Sequence, residues 1–135
     1  MTHTSLPLIK ASPAGRIINV SSIIGHVGDP RNPLYTITKA AVLMFTKSLA
    51  LDMAGKEDSK NVTVNSISPG VFATDMNAKF TQNQEALARV EQCIPMRRLG
   101  QPQKDLPGAV LYLASEAASY TTGSDILVDG GFVSI

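Results

Sequence analysis

The chain alternates short, dense apolar blocks with Gly- and Pro-rich breaks. "GRIINVSS" (15–22) is rich in Ile and Val and apolar on both faces. That pattern predicts a strand buried on two sides, as in a parallel sheet. The punctuated stretch "GHVGDPRNP" (25–33) reads as a connection. It leads into a long helical run over 34–54, closed by Gly55 as a C′ residue. After the polar connection "GKEDSKN" (55–61), "VTVNSIS" (62–68) predicts a second strand. Its period of two puts Val62, Val64 and Ser66 on one face and Thr63, Asn65 and Ile67 on the other. Residues 71–81 read as a loop, and "NQEALARVEQC" (83–93) as an amphipathic helix with Ala86, Leu87 and Val90 inward. "DLPGAVLYLASEAA" (105–118) predicts a further helix, with Asp105 as N-cap and Pro107 in the first turn. "TTGS" ends it, and "DILVDGG" (125–131) supplies a third short strand. Strand, helix, strand, helix, helix, strand is the order of an α/β fold. The expectation is a three-stranded parallel sheet in chain order, part of a doubly wound, Rossmann-like architecture.

Composition narrows the field. The 135 residues fit one small domain, and 44% hydrophobic with 17% charged residues is ordinary for a soluble globular protein. A net charge of +1 gives no footprint for nucleic acid or an anionic membrane. No stretch approaches ~18 consecutive apolar residues, and the N-terminus lacks the pattern of a signal peptide. The single cysteine, Cys93, cannot form an internal disulfide. These features predict a cytoplasmic protein. His3 and His26 stand at no metal-ligand spacing, so no metal site is expected, and Arg97-Arg98 reads as a solvated turn.

The chemistry gathers around "YTITKAAVLMF" (35–45). Tyr35 and Lys39 are four apart, which on a helix stacks them on one face at about 5–6 Å between Cβ atoms. By itself such a pair also suits two helix-edge residues keeping their polar tips in water. The neighbourhood adds a third group. The first strand runs into Ser21-Ser22 at the carboxyl edge of the sheet, where open α/β sheets bind ligands. The helix that follows begins near that edge, so Ser22, Tyr35 and Lys39 can converge. A phenol is a poor acid or base at neutral pH, and an ammonium beside it favours the phenolate. A serine hydroxyl can donate to a carbonyl oxygen. The trio would make a proton relay for carbonyl reduction or alcohol oxidation.

"GRIINVSSIIG", then Tyr35 and Lys39, resembles the active-site segment of the short-chain dehydrogenase/reductase family. "NSISPGVFATDM" (65–76), "RLG" (98–100), "LYLASEAASYTTG" (111–123) and "VDGG" (128–131) are similar to its later motifs, so the likeness runs from about residue 6 to the end. Among members it looks nearest to 3-oxoacyl-carrier-protein reductases and gluconate 5-dehydrogenases. The resemblance implies an NAD- or NADP-dependent oxidoreductase interconverting a small-molecule ketone and a secondary alcohol. It implies Tyr35 as general acid/base, Lys39 as the charge that favours the phenolate and as a partner of the cofactor ribose, and Ser22 as the group orienting the carbonyl. Pro69, Gly70 and Phe72 would shape the cofactor wall and Thr74 would meet the carboxamide or pyrophosphate side. It also implies a homo-oligomer, dimer or tetramer, joined through helix 34–54, whose apolar character nearly all round calls for burial on two sides.

The resemblance covers only the C-terminal half of such a protein. These 135 residues hold no Thr-Gly-x-x-x-Gly-x-Gly turn, no Asn-Asn-Ala-Gly strand end and no asparagine on the helix before "GRIINVSS". The expectation is a partial Rossmann-like domain over 1–135, its cofactor half absent, inactive when alone. A non-catalytic remnant that pairs with full-length subunits is the competing expectation.

Overall fold

A computed structural model describes residues 2–134, with the side chains of 76, 79 and 80 outside the description. The main elements are α1 (Thr2–Ala11), β1 (Arg16–Val20), α2 (Pro33–Ala54), β2 (Thr63–Pro69), α3 (Ala78–Thr81), α4 (Gln84–Gln92), α5 (Pro102–Asp105), α6 (Pro107–Ala114) and β3 (Asp125–Val128). The sheet has three parallel strands in the order β1-β2-β3. Ile17 lies level with Val64, and Ile67 with Ile126.

Both faces of the sheet are covered, which is why β1 reads as an apolar run rather than as an alternation. On one face Ile17 and Val64 pack with Val62, Ala50 and Met53, and Leu6 and Ile9 of α1 close the edge of that cluster. On the other face Ile67 packs with Leu113 and Ala118, joined by Ile18, Leu106 and Ile126. Consecutive residues Ile17 and Ile18 thus serve opposite cores, as the two-faced reading of "RIINV" requires.

Helix α2 starts where its sequence dictates. Asn32 is the N-cap, its Oδ1 accepting from the Tyr35 N–H at 3.3 Å, and Pro33 takes the first turn. Leu43, Thr46, Ala50 and Met53 repeat at helical spacing and are buried against the sheet. Leu34, Ile37, Met44, Phe45 and Leu51 line an opposite, exposed stripe. At 22 residues with mean hydropathy 1.2, α2 could by length and composition cross a membrane. Its packing on the sheet, and Lys39, Lys47 and Asp52 along it, fit a layer of the α/β fold instead.

Three expectations need correction. Residues 71–81 are not all loop, because a 3-10 turn at Asp75–Asn77 runs into α3. Gly55 does close α2, its N–H donating to Leu51 O at 3.2 Å, but at φ −80° it is not a left-handed glycine. Asp105 is not the N-cap of α6. It ends α5, and the N-terminus of α6 carries Leu106, which makes no side-chain cap.

What Asp105 does instead is hold Arg98. The guanidinium donates two bonds to its carboxylate, Nη1 to Oδ2 at 2.7 Å and Nη2 to Oδ1 at 3.0 Å, so Arg98 is paired rather than simply solvated. The Gln101 N–H adds a third, at 2.8 Å to Oδ2. Donation from Arg98, then from Gln101, holds the Asp105 carboxyl down from its ordinary 3.8 to about 2. A lowered folded-state value means a contribution to stability that is full above the unfolded value and lost as pH falls through the folded one. Acid titration followed by NMR should therefore find Asp105 still ionised at pH 3. Its share of stability should disappear between pH ~4 and ~2, and Asp105→Asn should remove that dependence. A midpoint for Asp105 near 4 would contradict the pairing.

Candidate active site

The carboxyl edge of the sheet is where the candidate residues were expected, and the register carries Ser22 and Pro69 there. Ser21 N–H donates to Ile67 O at 2.8 Å, carrying the β1–β2 ladder one residue past β1. The next residue, Ser22, is buried and extended (φ −166°, ψ 156°), and it caps a 3-10 turn over Ile23–Gly25. Its Oγ accepts from the Ile24 N–H at 3.3 Å, which leaves the hydroxyl proton free to donate elsewhere. Continuing the register, Ser22 stands level with Pro69, the last residue of β2.

Tyr35 and Lys39 occupy successive turns at the start of α2. The Lys39 ammonium lies 5.6 Å from the centroid of the Tyr35 ring, close enough for a cation–π contact. The same ammonium donates to Val20 O at 3.2 Å, at the end of β1 and two residues before Ser22. The contact is built from both sides. Ser21 Oγ donates to Lys39 O at 2.7 Å. Gly25 approaches so closely that a Cβ there would stand 2.9 Å from the Lys39 carbonyl carbon. Strand end, 3-10 turn and helix start are thereby held as one unit.

Gly70 leaves β2 at the same edge, and its N–H donates to Val128 O at 2.9 Å. Thr74 is exposed and begins the turn at Asp75–Asn77. Phe72 is buried, and its ring is committed to the "RLG" turn. A Cβ on Gly100 would come within 2.5 Å of that ring, while the backbone bonds Ala73 N–H to Gly100 O and Gly100 N–H to Val71 O tie the two segments (both 2.9 Å). Gly100→Ala must displace an aromatic ring from a packed site, which typically costs about 1–3 kcal/mol. A lower urea midpoint with unchanged slope should report it.

Sequence reasoning passed over three polar devices. Asn32-Pro33 is a legible helix start, an N-cap residue followed by proline. Asn65 is almost wholly buried, donating to Thr121 O at 2.7 Å and accepting from Ser124 N–H at 3.0 Å. It stands in for a backbone partner between β2 and the approach to β3, and an Asn inside a Val/Ile strand was the available signal. The third is His26, considered only as a metal ligand, whose Nε2 lies 2.8 Å from Asp125 Oδ2 and 3.3 Å from Ser68 Oγ.

A parallel sheet covered on both faces, with polar side chains gathered at its carboxyl edge, makes the chain part of a doubly wound α/β fold. The family model described as enoyl-(acyl carrier protein) reductase matches residues 1–133. Nodulation protein G of Azospirillum brasilense is 44% identical over 117 residues, covering 87% of this chain and 45% of that protein. A 3-oxoacyl-[acyl-carrier-protein] reductase of Aquifex aeolicus is 40% identical over 131 residues, 97% of this chain and 50% of that protein. Among solved structures, a gluconate 5-dehydrogenase from Burkholderia cenocepacia in complex with NADP and tartrate superimposes with a TM-score of 0.89 at 30% identity. It covers 99% of this chain and 51% of that one. The chain belongs to the short-chain dehydrogenase/reductase family of oxidoreductases. It spans about half the length of the curated relatives it matches.

Proposed function

We propose that this chain is the catalytic and substrate-binding half of an NAD- or NADP-dependent oxidoreductase that interconverts a ketone and a secondary alcohol, one partial Rossmann-like domain over residues 1–135. The observation that carries the reading is the Lys39 ammonium lying over the Tyr35 ring and on the Val20 carbonyl, at the strand end that presents Ser22.

The residues present suit the nicotinamide half of a dinucleotide. Lys39 spends one donor on Val20 O and has two more to offer to ribose hydroxyls. Pro69 ends β2, and Gly70, Phe72 and Thr74 follow it at the edge where a cofactor wall would stand, Phe72 through its backbone, since its ring is occupied. The nicotinamide, when bound, is the group that gives or takes the hydride. In the reducing direction the Tyr35 hydroxyl passes its proton to the oxygen of the substrate carbonyl. The Lys39 ammonium lies over the ring that is left with the negative charge. The free Ser22 O–H donates to the same oxygen and fixes its position while charge develops there. In oxidation the same groups act in reverse order.

The exposed apolar stripe Leu34, Ile37, Met44, Phe45 and Leu51 supports a homo-oligomer formed through α2. The same stripe favours a second reading, a non-catalytic chain that only pairs with full-length subunits. The experiment that decides is a reduction assay on the chain joined to the N-terminal half of a full-length relative. Ketone-dependent consumption of NADPH or NADH is the expected result. A folded, nucleotide-binding product that consumes neither with any ketone supplied would leave only the second reading.

A further inference from the structure

Ser22 is held by more than its own strand. The 3-10 turn that it opens is closed by His26, whose N–H donates to Ile23 O at 2.9 Å. From there the imidazole reaches across the sheet. Nε2 is 2.8 Å from Asp125 Oδ2, at the start of β3, and 3.3 Å from Ser68 Oγ on β2. Ser66 Oγ donates to the other Asp125 oxygen, and both serines are buried. The Asp125 side chain keeps only 12% of its surface exposed.

Histidine, aspartate and serine together invite comparison with a hydrolytic triad, but the geometry excludes one. In a triad the imidazole meets serine through one nitrogen and the carboxylate through the other, so a proton can pass along. Here both partners face the same nitrogen. A carboxylate can only accept, so the 2.8 Å contact assigns a proton to Nε2 and aims it at Asp125, with Ser68 the longer second contact at 3.3 Å. The cluster is a brace, not a relay.

We propose that His26 and Asp125 are positioning residues that set the placement of Ser22, an inference that rests on the catalytic reading of Ser22 given above. The brace ties the far end of the Ser22 turn to β2 and β3. The near end is tied to α2 through Ser21 Oγ on Lys39 O, and Gly25, next to His26 at the far end, packs closely on Lys39 as well. Ser22 therefore sits between two fixed points, and its hydroxyl is aimed by both. Removing the imidazole leaves the far end of the turn with only the packing of Gly25 on Lys39, and a largely buried carboxylate with a lone serine donor. Misplacing a catalytic group by about 1 Å can cost up to ~10²-fold in rate.

The test uses the chain joined to a complete N-terminal half. His26→Ala should lower kcat by roughly ten- to a hundredfold with the cofactor KM unchanged. His26→Gln, which keeps an N–H donor of similar reach, should restore most of it. Asp125→Ala should match His26→Ala, and the double variant should fall no further, because both break one contact. Exchange of the Gly25 and His26 amides should quicken by about tenfold in His26→Ala while that of the Val64 amide in β2 holds. Ser22→Ala separates the two claims. If it lowers kcat and His26→Ala does not, the brace is overturned. If neither variant changes kcat, the catalytic reading of Ser22 fails and the brace falls with it. Equal rate losses in His26→Gln and His26→Ala would also overturn the proposal, since the donor would then be irrelevant.

Discussion

Tyr35→Phe, made in the chain joined to a complete N-terminal half, should lower kcat by ~10²–10⁴-fold, the usual cost of losing a general acid/base. The substitution is clean. Tyr35 sits in the first turn of α2, and its backbone N–H is capped by Asn32 whichever ring follows. Phenylalanine and tyrosine have similar helix propensity, and the ring surface beneath the Lys39 ammonium is kept. Only the hydroxyl is removed. The thermal midpoint should hardly move, and cofactor affinity should change little because Lys39 keeps its place. The whole loss should fall on the chemical step and appear equally in kcat and kcat/KM for the ketone. A Tyr35→Phe enzyme within a few-fold of its parent would dismiss Tyr35 as the proton donor. A large loss accompanied by a collapse in thermal midpoint would instead mark Tyr35 as a packing residue.

The fold was legible because its signals are local. "RIINV" is apolar on both faces, which reads as a strand covered on two sides, and Ile17 and Ile18 do serve opposite cores. The period of "VTVNSIS" assigned faces correctly, with Val64 toward α2 and Ile67 toward α6. What escaped were contacts between residues far apart in the chain. Arg98 and Asp105 look like a turn residue and a helix cap until the chain folds a bidentate pair between them. Asp105 is drawn off its cap because a guanidinium offers it two charged donors where a helix start offers N–H groups alone. His26 meets Asp125 across 99 positions, and no local pattern announces that. Of the candidate site, the Tyr35–Lys39 pair was readable from helical spacing and Ser22 from its place at a strand end. The commitment of the Phe72 ring to Gly100 was not, because it depends on how two turns meet.

Taken alone, the 135-residue chain should show no measurable ketone-dependent oxidation of NADPH or NADH, and only weak nucleotide binding. Tight dinucleotide binding relies on a glycine-rich turn that lets the backbone and a helix N-terminus approach the pyrophosphate. No Thr-Gly-x-x-x-Gly-x-Gly stretch occurs in these residues. Contacts from Lys39 and the end of β2 would then have to offset the loss of the cofactor's translational and rotational freedom, about 4–15 kcal/mol, unaided. The sheet argues the same way. β1 pairs with β2 along one side, and Val20 at its end is 60% exposed, so an apolar strand stands open to a further neighbour. Joining a complete N-terminal half should do two things at once. It should raise the urea midpoint, by covering β1 and enlarging the buried core, and it should bring nucleotide binding and turnover together. Calorimetric titration of NADP into both proteins, followed by the reduction assay, measures each effect. Robust turnover by the 135 residues alone would show that Ser22, Tyr35 and Lys39 can work without a pyrophosphate cradle, and would overturn the reading of this chain as half of a catalytic unit.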